Sequence, residues 1–390
     1  MKYLINILMS VFARAANFFL NIVIVRFYGG DVLGGYVTVQ NLVLSFYVLI
    51  NAGQSYNLLY FKQKRIRGVL VLLNFLFPIL SAPLVFLVLE VIYDMSVFDV
   101  LVIILAIFLN SITGIYISSL YYKQKAKKAI VISSMSSVVM FPFVLFLGVS
   151  GFNLSHSVMI VIFYSIPVML CMLTCEGRQL WLSIGLNRVK LKTITALLKR
   201  GASMVLGVFI LGFVNTLFLL NTYSNQPDIN TILALVFPVI GVIVLIPTSL
   251  NNLILSDKDK LKNVLVLKLV LLLLFVGFLI YLIGWDLYML AIGNIIELGR
   301  VELLMFIMGG IFLATAKLYL SLLLKKKLYR SINRVMLSVL VLSIVSLELF
   351  TGTGILNWSL LYLLINLLMM GGLYSIHHVN KPKKIRDVLV

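Results

Sequence analysis

Long apolar runs, each close to the length of a bilayer crossing, alternate with short clusters of charged and turn-forming residues along the chain. A helix needs about 20 predominantly apolar residues to cross the hydrocarbon core. Twelve such runs can be placed, at roughly 4–27, 36–60, 69–92, 99–122, 129–149, 157–176, 201–222, 231–255, 263–284, 301–324, 332–350 and 355–376. The chain therefore reads as an all-α polytopic membrane protein with about 12 transmembrane helices. The first apolar stretch is too long for the h-region of a signal peptide.

The longest polar break falls at mid-chain. Residues 176–200, "EGRQLWLSIGLNRVKLKTITALLKR", carry six basic residues and have amphipathic character. Such a segment is expected to lie on the anionic cytoplasmic leaflet. It divides the chain into an N-terminal six-helix bundle at 1–176, a basic amphipathic cytoplasmic linker at 177–200, and a C-terminal six-helix bundle at 201–390 that ends in a short basic cytoplasmic tail. Two bundles facing one another around a central path are a common plan for transporters. No strong residue-level repeat accompanies that division.

Charge fixes the expected orientation. Of the 32 Lys and Arg residues, 28 collect on one side of the spans, in clusters such as "KQKRIR" (62–67), "KQKAKK" (123–128) and "KKKLYRSINR" (325–334). Asp31, Glu90, Asp94, Asp99, Asp228, Asp286, Glu297, Glu302 and Glu348 fall on the other. By the positive-inside rule both termini are cytoplasmic. The net charge of +19 is thus spread between spans and not along a soluble face, which argues against nucleic-acid binding. The largest outer loop, 284–302, is partly apolar and is expected to lie along the outer interface, so no large catalytic domain sits outside the membrane.

Composition agrees: 62% of the residues are hydrophobic and 12% charged, against about 45–50% and about 25% in soluble domains. Cys171 and Cys175, four apart in one span, read as packing residues and make no disulfide framework. His156, His377 and His378 are placed in loops or the tail, with no carboxylate pattern around them, so no metal and no cofactor is expected.

Candidate chemistry lies in polar stripes along the spans. In the first, "MSVFARAANFFLNIVIVRFYGG" (9–30), Arg14 lies twelve residues from both Lys2 and Arg26, about 18 Å from either charged end. Ser10, Arg14, Asn17 and Asn21 share one helical face, which in hydrocarbon would cost about 2.5–3.5 kcal/mol for the arginine alone. That face must meet protein or water. In the second span Gln40, Tyr47, Asn51 and Gln54 also share a face. These neutral groups suit sugar hydroxyls, and they equally glue helices together. Asn215, Asn221, Thr248, Asn251 and Asn252 are weaker candidates for the same wall, and Pro238 and Pro247 are expected to bend span eight. Arg26 and Lys317 read as snorkelling, and Arg300 as pairing with Glu297 or Glu302. No carboxylate sits at mid-membrane, and no phosphate-cradling loop, Ser-His-Asp set or metal cluster is present, so the chain reads as no enzyme.

"RFYGGDVLGGY" (Arg26 to Tyr36) resembles the turn between spans one and two of Wzx-type polysaccharide flippases, which belong to the multidrug/oligosaccharidyl-lipid/polysaccharide exporter superfamily. "INAGQSYNLLYF" (50–61) resembles that family's end of span two, and "LIPTSLNNLILS" (245–256) its end of span eight. The resemblance implies two six-helix bundles in a V that opens alternately to each side of a bacterial cytoplasmic (inner) membrane. It implies translocation of an undecaprenyl-pyrophosphate-linked oligosaccharide, an O-antigen or capsule repeat unit of the kind used for lipopolysaccharide, from the inner to the outer leaflet. It also implies a polysaccharide polymerase and a chain-length regulator as partners, beside the membrane lipids. Arg14, Asn17, Asn21, Gln40, Asn51, Gln54, Asn215 and Asn251 would then line the substrate path, with Arg14 offering bidentate bonds to pyrophosphate. The alternatives are a drug or small-molecule exporter of the same superfamily and, less favoured, a polytopic O-antigen polymerase-type enzyme.

Overall fold

In the computed structural model the described residues are 2–51, 54, 64–93, 95–123, 125–174, 191–256, 263–293, 298–349 and 353–379. They are helical almost throughout, with no strand among them. The helices are α1 (Lys2–Tyr28), α2 (Gly30–Ile50), α3 (Lys64–Leu87), α4 (Val97–Tyr122), α5 (Ala126–Val149), α6 (His156–Leu173), α7 (Leu191–Asn225), α8 (Pro227–Ser256), α9 (Asn263–Leu279), α10 (Trp285–Ile292), α11 (Arg300–Lys325), α12 (Tyr329–Leu349) and α13 (Ile355–Val379). Eleven helices among the described residues are long and apolar enough to cross a membrane, and the apolar part of α1, Ala15–Tyr28, is a shorter twelfth. The all-α polytopic fold expected from the apolar runs is the one observed.

Local chemistry sets the breaks. Ser96 caps α4 by accepting the Asp99 N–H at 3.2 Å, and Ser155 caps α6 by accepting from Val158 N–H at 3.4 Å. A single residue, Gly29, separates α1 from α2 at φ 94°, a conformation that a side chain would strain. The helix α8 runs through both Pro238 and Pro247. The third helix of each half ends in a five-residue π segment, Val88–Ile92 after α3 and Ile280–Gly284 after α9. Such wider turns absorb a residue that the regular helix has no place for.

The packing has a two-fold pattern that the residues do not. In the first half α1 packs on α5, α2 and α3 on α4, α4 on α6, and α5 on α6. In the second, α7 packs on α12, α8 and α9 on α11, α11 on α13, and α12 on α13, matching these pairs in order, while α2 on α6 in the first half has no comparable counterpart among the described residues. Between the halves α2 packs on α7, α1 on α8, and α2 on α8. Exchanging the halves turns the first of these pairs into the second. Large apolar residues such as Leu271, Phe275 and Phe278 on α9, and Val341, Val345 and Leu349 on α12, are exposed. That surface would be costly in water and costs nothing in lipid.

Chain alternation gathers Asp31, Glu90, Asp99, Asp228, Asp286, Glu302 and Glu348 at one end of the helices, here the acidic end. Lys123, Lys125, Lys127, Lys325, Lys326 and Arg330 lie at the other, the basic end.

Four expectations need correction. The linker 177–200 is not all loop, because α7 begins at Leu191. Leu197 is buried against Leu70, Val71 and Ile115 of α3 and α4, so these turns pack on the first half. In the 284–302 segment, α10 continues from α9 and buries Trp285, Tyr288, Met289 and Ile292, with Tyr288 against Phe18 of α1 at 4.9 Å. Arg300 pairs with Asp286, at 2.7 and 2.8 Å, and donates to the Tyr281 carbonyl at 2.9 Å, while the expected partner Glu297 lies outside the described residues. His156, His377 and His378 lie inside helices and not in loops or a tail, because Ser155 starts α6 one residue before His156 and α13 runs on to Val379. The Arg300–Asp286 pair is half-exposed and surface ion pairs contribute about 0–1 kcal/mol, so Asp286→Asn is expected to lower the thermal midpoint by about 2 °C or less in a detergent melt.

Candidate functional site

The boundary between the halves is where a path could open, and α2 supplies much of the contact across it. Gly34, Thr38, Asn41 and Ser45 follow at spacings that place them on one face. Ser45 Oγ and Thr216 Oγ1 of α7 are 2.8 Å apart and buried, and Thr216 Oγ1 also donates to the Asn41 carbonyl at 3.4 Å. Asn230 of α8 donates from Nδ2 to Thr38 Oγ1 at 3.4 Å, to Thr222 Oγ1 at 3.2 Å and to the Leu219 carbonyl at 2.9 Å. Close approach depends on glycine. A Cβ on Gly34 would lie 2.7 Å from Asn230 Oδ1, and one on Gly30 2.7 Å from Thr231 Cγ2. Small residues let helix backbones come this near.

Beside Ser45 and Thr216 the contact turns aromatic, with Phe46 edge-on to Phe213 at 6.4 Å and Phe213 stacked on Phe209 at 4.8 Å. At the acidic end Arg26 Nη1 donates to the Ala291 carbonyl of α10 at 2.9 Å, so this residue ties the halves together where snorkelling alone was expected.

The residues singled out from the sequence take different places. The Arg14 backbone belongs to α1, and its side chain lies outside the described residues, as does that of Asn251 on α8. Asn17 accepts from Ser137 Oγ of α5 at 3.3 Å, a bond inside the first half. Asn21 is buried, with its Oδ1 lacking a hydrogen-bond partner among the described atoms. Gln40 is half-buried on α2. Asn51 donates to Ser111 Oγ of α4 at 3.1 Å, again inside the first half, while its Oδ1 is left over. Gln54 is buried, and its N–H bonds the Asn51 carbonyl at 2.8 Å. Asn215 and Asn221 on α7 each keep a buried Oδ1 without a donor among the described atoms.

Sequence reasoning missed Thr38, Ser45, Thr216 and Asn230. A signal was available on α2, where small and hydroxyl residues recur at 4, 3 and 4. It was overshadowed by the larger amides of the neighbouring stripe. All described carboxylates lie at the acidic end, none in mid-helix, and no group of three or more His, Cys, Asp or Glu residues able to hold a metal ion occurs among the described residues.

No family model and no curated protein matches the sequence. Solved structures do. The MATE multidrug transporter DinF-BH superposes with a TM-score of 0.62 at 14% identity, over 96% of this chain and 94% of that one. The fold is that of the MATE transporters. The eukaryotic MATE transporter AtDTX14 has a TM-score of 0.56 at 13% identity, over 98% of this chain and 97% of that one. At such identities the likeness is one of helix order and packing, and the site residues must be argued from this chain.

Proposed function

We propose that this chain is an alternating-access membrane transporter that exports amphipathic organic molecules. The observation that carries the reading is the exchangeable pair of contacts between the halves, α2 on α7 and α1 on α8, joined by hydroxyl and amide groups near the acidic end, where Thr38 meets Asn230, and further down the helices, where Ser45 meets Thr216. A gate of this composition opens cheaply. Each hydrogen bond adds only about 0.5–1.5 kcal/mol net, because water replaces the lost partner. The two states therefore stay close in energy, as a cycling transporter requires. With the basic end cytoplasmic, by the positive-inside rule, these contacts seal the outer side. The shared fold with the multidrug transporter DinF-BH supports a small-molecule cargo.

A lipid-linked oligosaccharide is the second reading, and a specific observation favours it. None of the 13 Asp and Glu residues lies at mid-span, whereas Arg14 does, and acidic residues are what a cationic drug would need. The buried acceptors of Asn21, Asn215 and Asn221 would take donors from sugar hydroxyls. An anion moving outward gains about 2.3 kcal/mol per charge per 100 mV of inside-negative potential. A polymerase and a chain-length regulator would then act on the product.

Proteoliposomes separate the two. Export of a hydrophobic cationic dye by the purified chain, unchanged in Arg14→Ala, is the expected result for the first reading. Translocation of a polyprenyl-pyrophosphate-linked oligosaccharide, abolished in Arg14→Ala and partly kept in Arg14→Lys, would move the assignment to the second. Movement of neither class overturns the transporter reading.

A further inference from the structure

We infer that Asp99 and His156 form a proton-binding site that sets how firmly α2 holds the two halves together at the acidic end, an inference that rests on the alternating-access reading above. The two residues open neighbouring helices, α4 and α6, and neither belongs to the stripes that would line the path.

His156 Nε2 lies 3.2 Å from Asp99 Oδ1. Ser157 Oγ donates to the same oxygen, and Ser96 Oγ donates to Oδ2 at 2.8 Å. The histidine and aspartate side chains are 22% and 13% exposed, so the pair is held in the protein yet within reach of a proton from solution. Histidine is the side chain whose ordinary titration falls between about pH 5 and pH 8. The other two imidazoles, His377 and His378, are in the last turn of α13 at the opposite end.

Geometry connects this pair to the gate. The His156 ring lies against α2, where a Cβ on Gly35 would be 2.9 Å from His156 Cγ. The residue before it, Gly34, faces Asn230 of α8. One turn of α2 is thus wedged between the His156 ring and the other half.

The other groups around it are few. Asp31, one turn before Gly35 on α2, and Asp228, at the start of α8, are both exposed. The end of α5 and its loop, 141–154, carry no charged residue, and the next titratable group along α6 is the buried Tyr164. Protonation of His156 adds an opposite charge to its contact with the Asp99 carboxylate and so strengthens a hydrogen bond whose acceptor is already ionised. The α4–α6 corner then stiffens behind α2 and the halves stay together. Loss of the proton loosens the corner. Low external pH therefore favours the state closed at the acidic end, and rising pH favours opening.

The test measures distance, not transport. Spin labels at Asn153→Cys and Asn225→Cys, two exposed positions on opposite halves, would be introduced with Cys171 and Cys175 replaced by Ser. Pulsed electron resonance in lipid nanodiscs at about pH 5.5 and about pH 8 brackets the histidine range. The short-distance population is expected to fall about twofold or more at the higher pH, a modest population shift. In His156→Gln, and in Asp99→Asn as an independent variant, it is expected not to respond. A pH-independent distance in the otherwise unaltered chain, or the same response in both variants, overturns the inference. Transport measured alongside tells the two levels apart: a chain that transports with a pH-independent distance sinks this inference alone, and one that moves no substrate sinks the transporter reading.

Discussion

Oxidation of a Ser45→Cys/Thr216→Cys double variant is expected to stop transport, and a reductant to restore it. The two hydroxyl oxygens are 2.8 Å apart across the boundary between the halves, in a buried contact that a disulfide of about 2.05 Å can replace with small adjustment. Once formed, that bond forbids the separation of α2 from α7 that opening between the halves requires. A fall in transport of about tenfold or more under oxidant corresponds to about 1.4 kcal/mol or more of added barrier. The two single variants, each lacking the second thiol, are expected to keep most of their activity under the same oxidant. Cys171 and Cys175 must first be replaced, since Cys171 is a buried free thiol and would otherwise confuse the readout. Full transport by a chain shown by gel mobility to be crosslinked would mean that α2 and α7 need not part.

Gly34→Val is expected to impair the closed state at least as strongly. A Cβ at this position would stand 2.7 Å from Asn230 Oδ1, and the γ-methyl groups of valine would reach further into α8. Overpacking of this kind costs about 1–3 kcal/mol. At 1.4 kcal/mol per decade that is roughly a 5- to 150-fold shift away from closure. Because Gly34 lies within the α2 helix, its role is close approach and not unusual backbone geometry. Gly34→Ala should show a smaller loss, and a Gly34→Ala/Asn230→Ala double variant should be no worse than Asn230→Ala alone, since the clashing oxygen is gone. Strictly additive losses in that cycle would place the glycine's role elsewhere.

How much of this could be read along the chain follows from what each feature depends on. A bilayer crossing is a matter of length and apolarity, so the apolar runs gave helices close to those observed, from α2 at Gly30–Ile50 to α13 at Ile355–Val379. The boundaries erred where apolar contact outweighed local polarity. The basic stretch before residue 201 extends α7 because Leu197 finds Leu70, Val71 and Ile115. The segment after Gly284 coils onto α1 through Tyr288 and Phe18.

Partners were the harder problem. Asn51 has the same chemistry whether it lines a path or bonds Ser111, and only the position of α4 decides between them. Arg26 has the same reach whether it snorkels or bonds the Ala291 carbonyl. The turn "RFYGGDVLGGY" was conspicuous as a sequence, and the structure attaches a physical reason to most of it: a positive φ at Gly29, close approach at Gly30, Gly34 and Gly35, and a buried ring at Tyr36.

The sequence by itself determined that this is an all-helical membrane protein, how many times it crosses, and where its charges concentrate, because each of these depends on neighbours along the chain. Tertiary structure alone decided which faces meet, that the halves repeat one packing pattern, and that Ser45 meets Thr216 and Thr38 meets Asn230. Those pairings join residues 171 and 192 positions apart. They depend on shape and hydrogen-bond complementarity between surfaces that become neighbours only after the chain has folded.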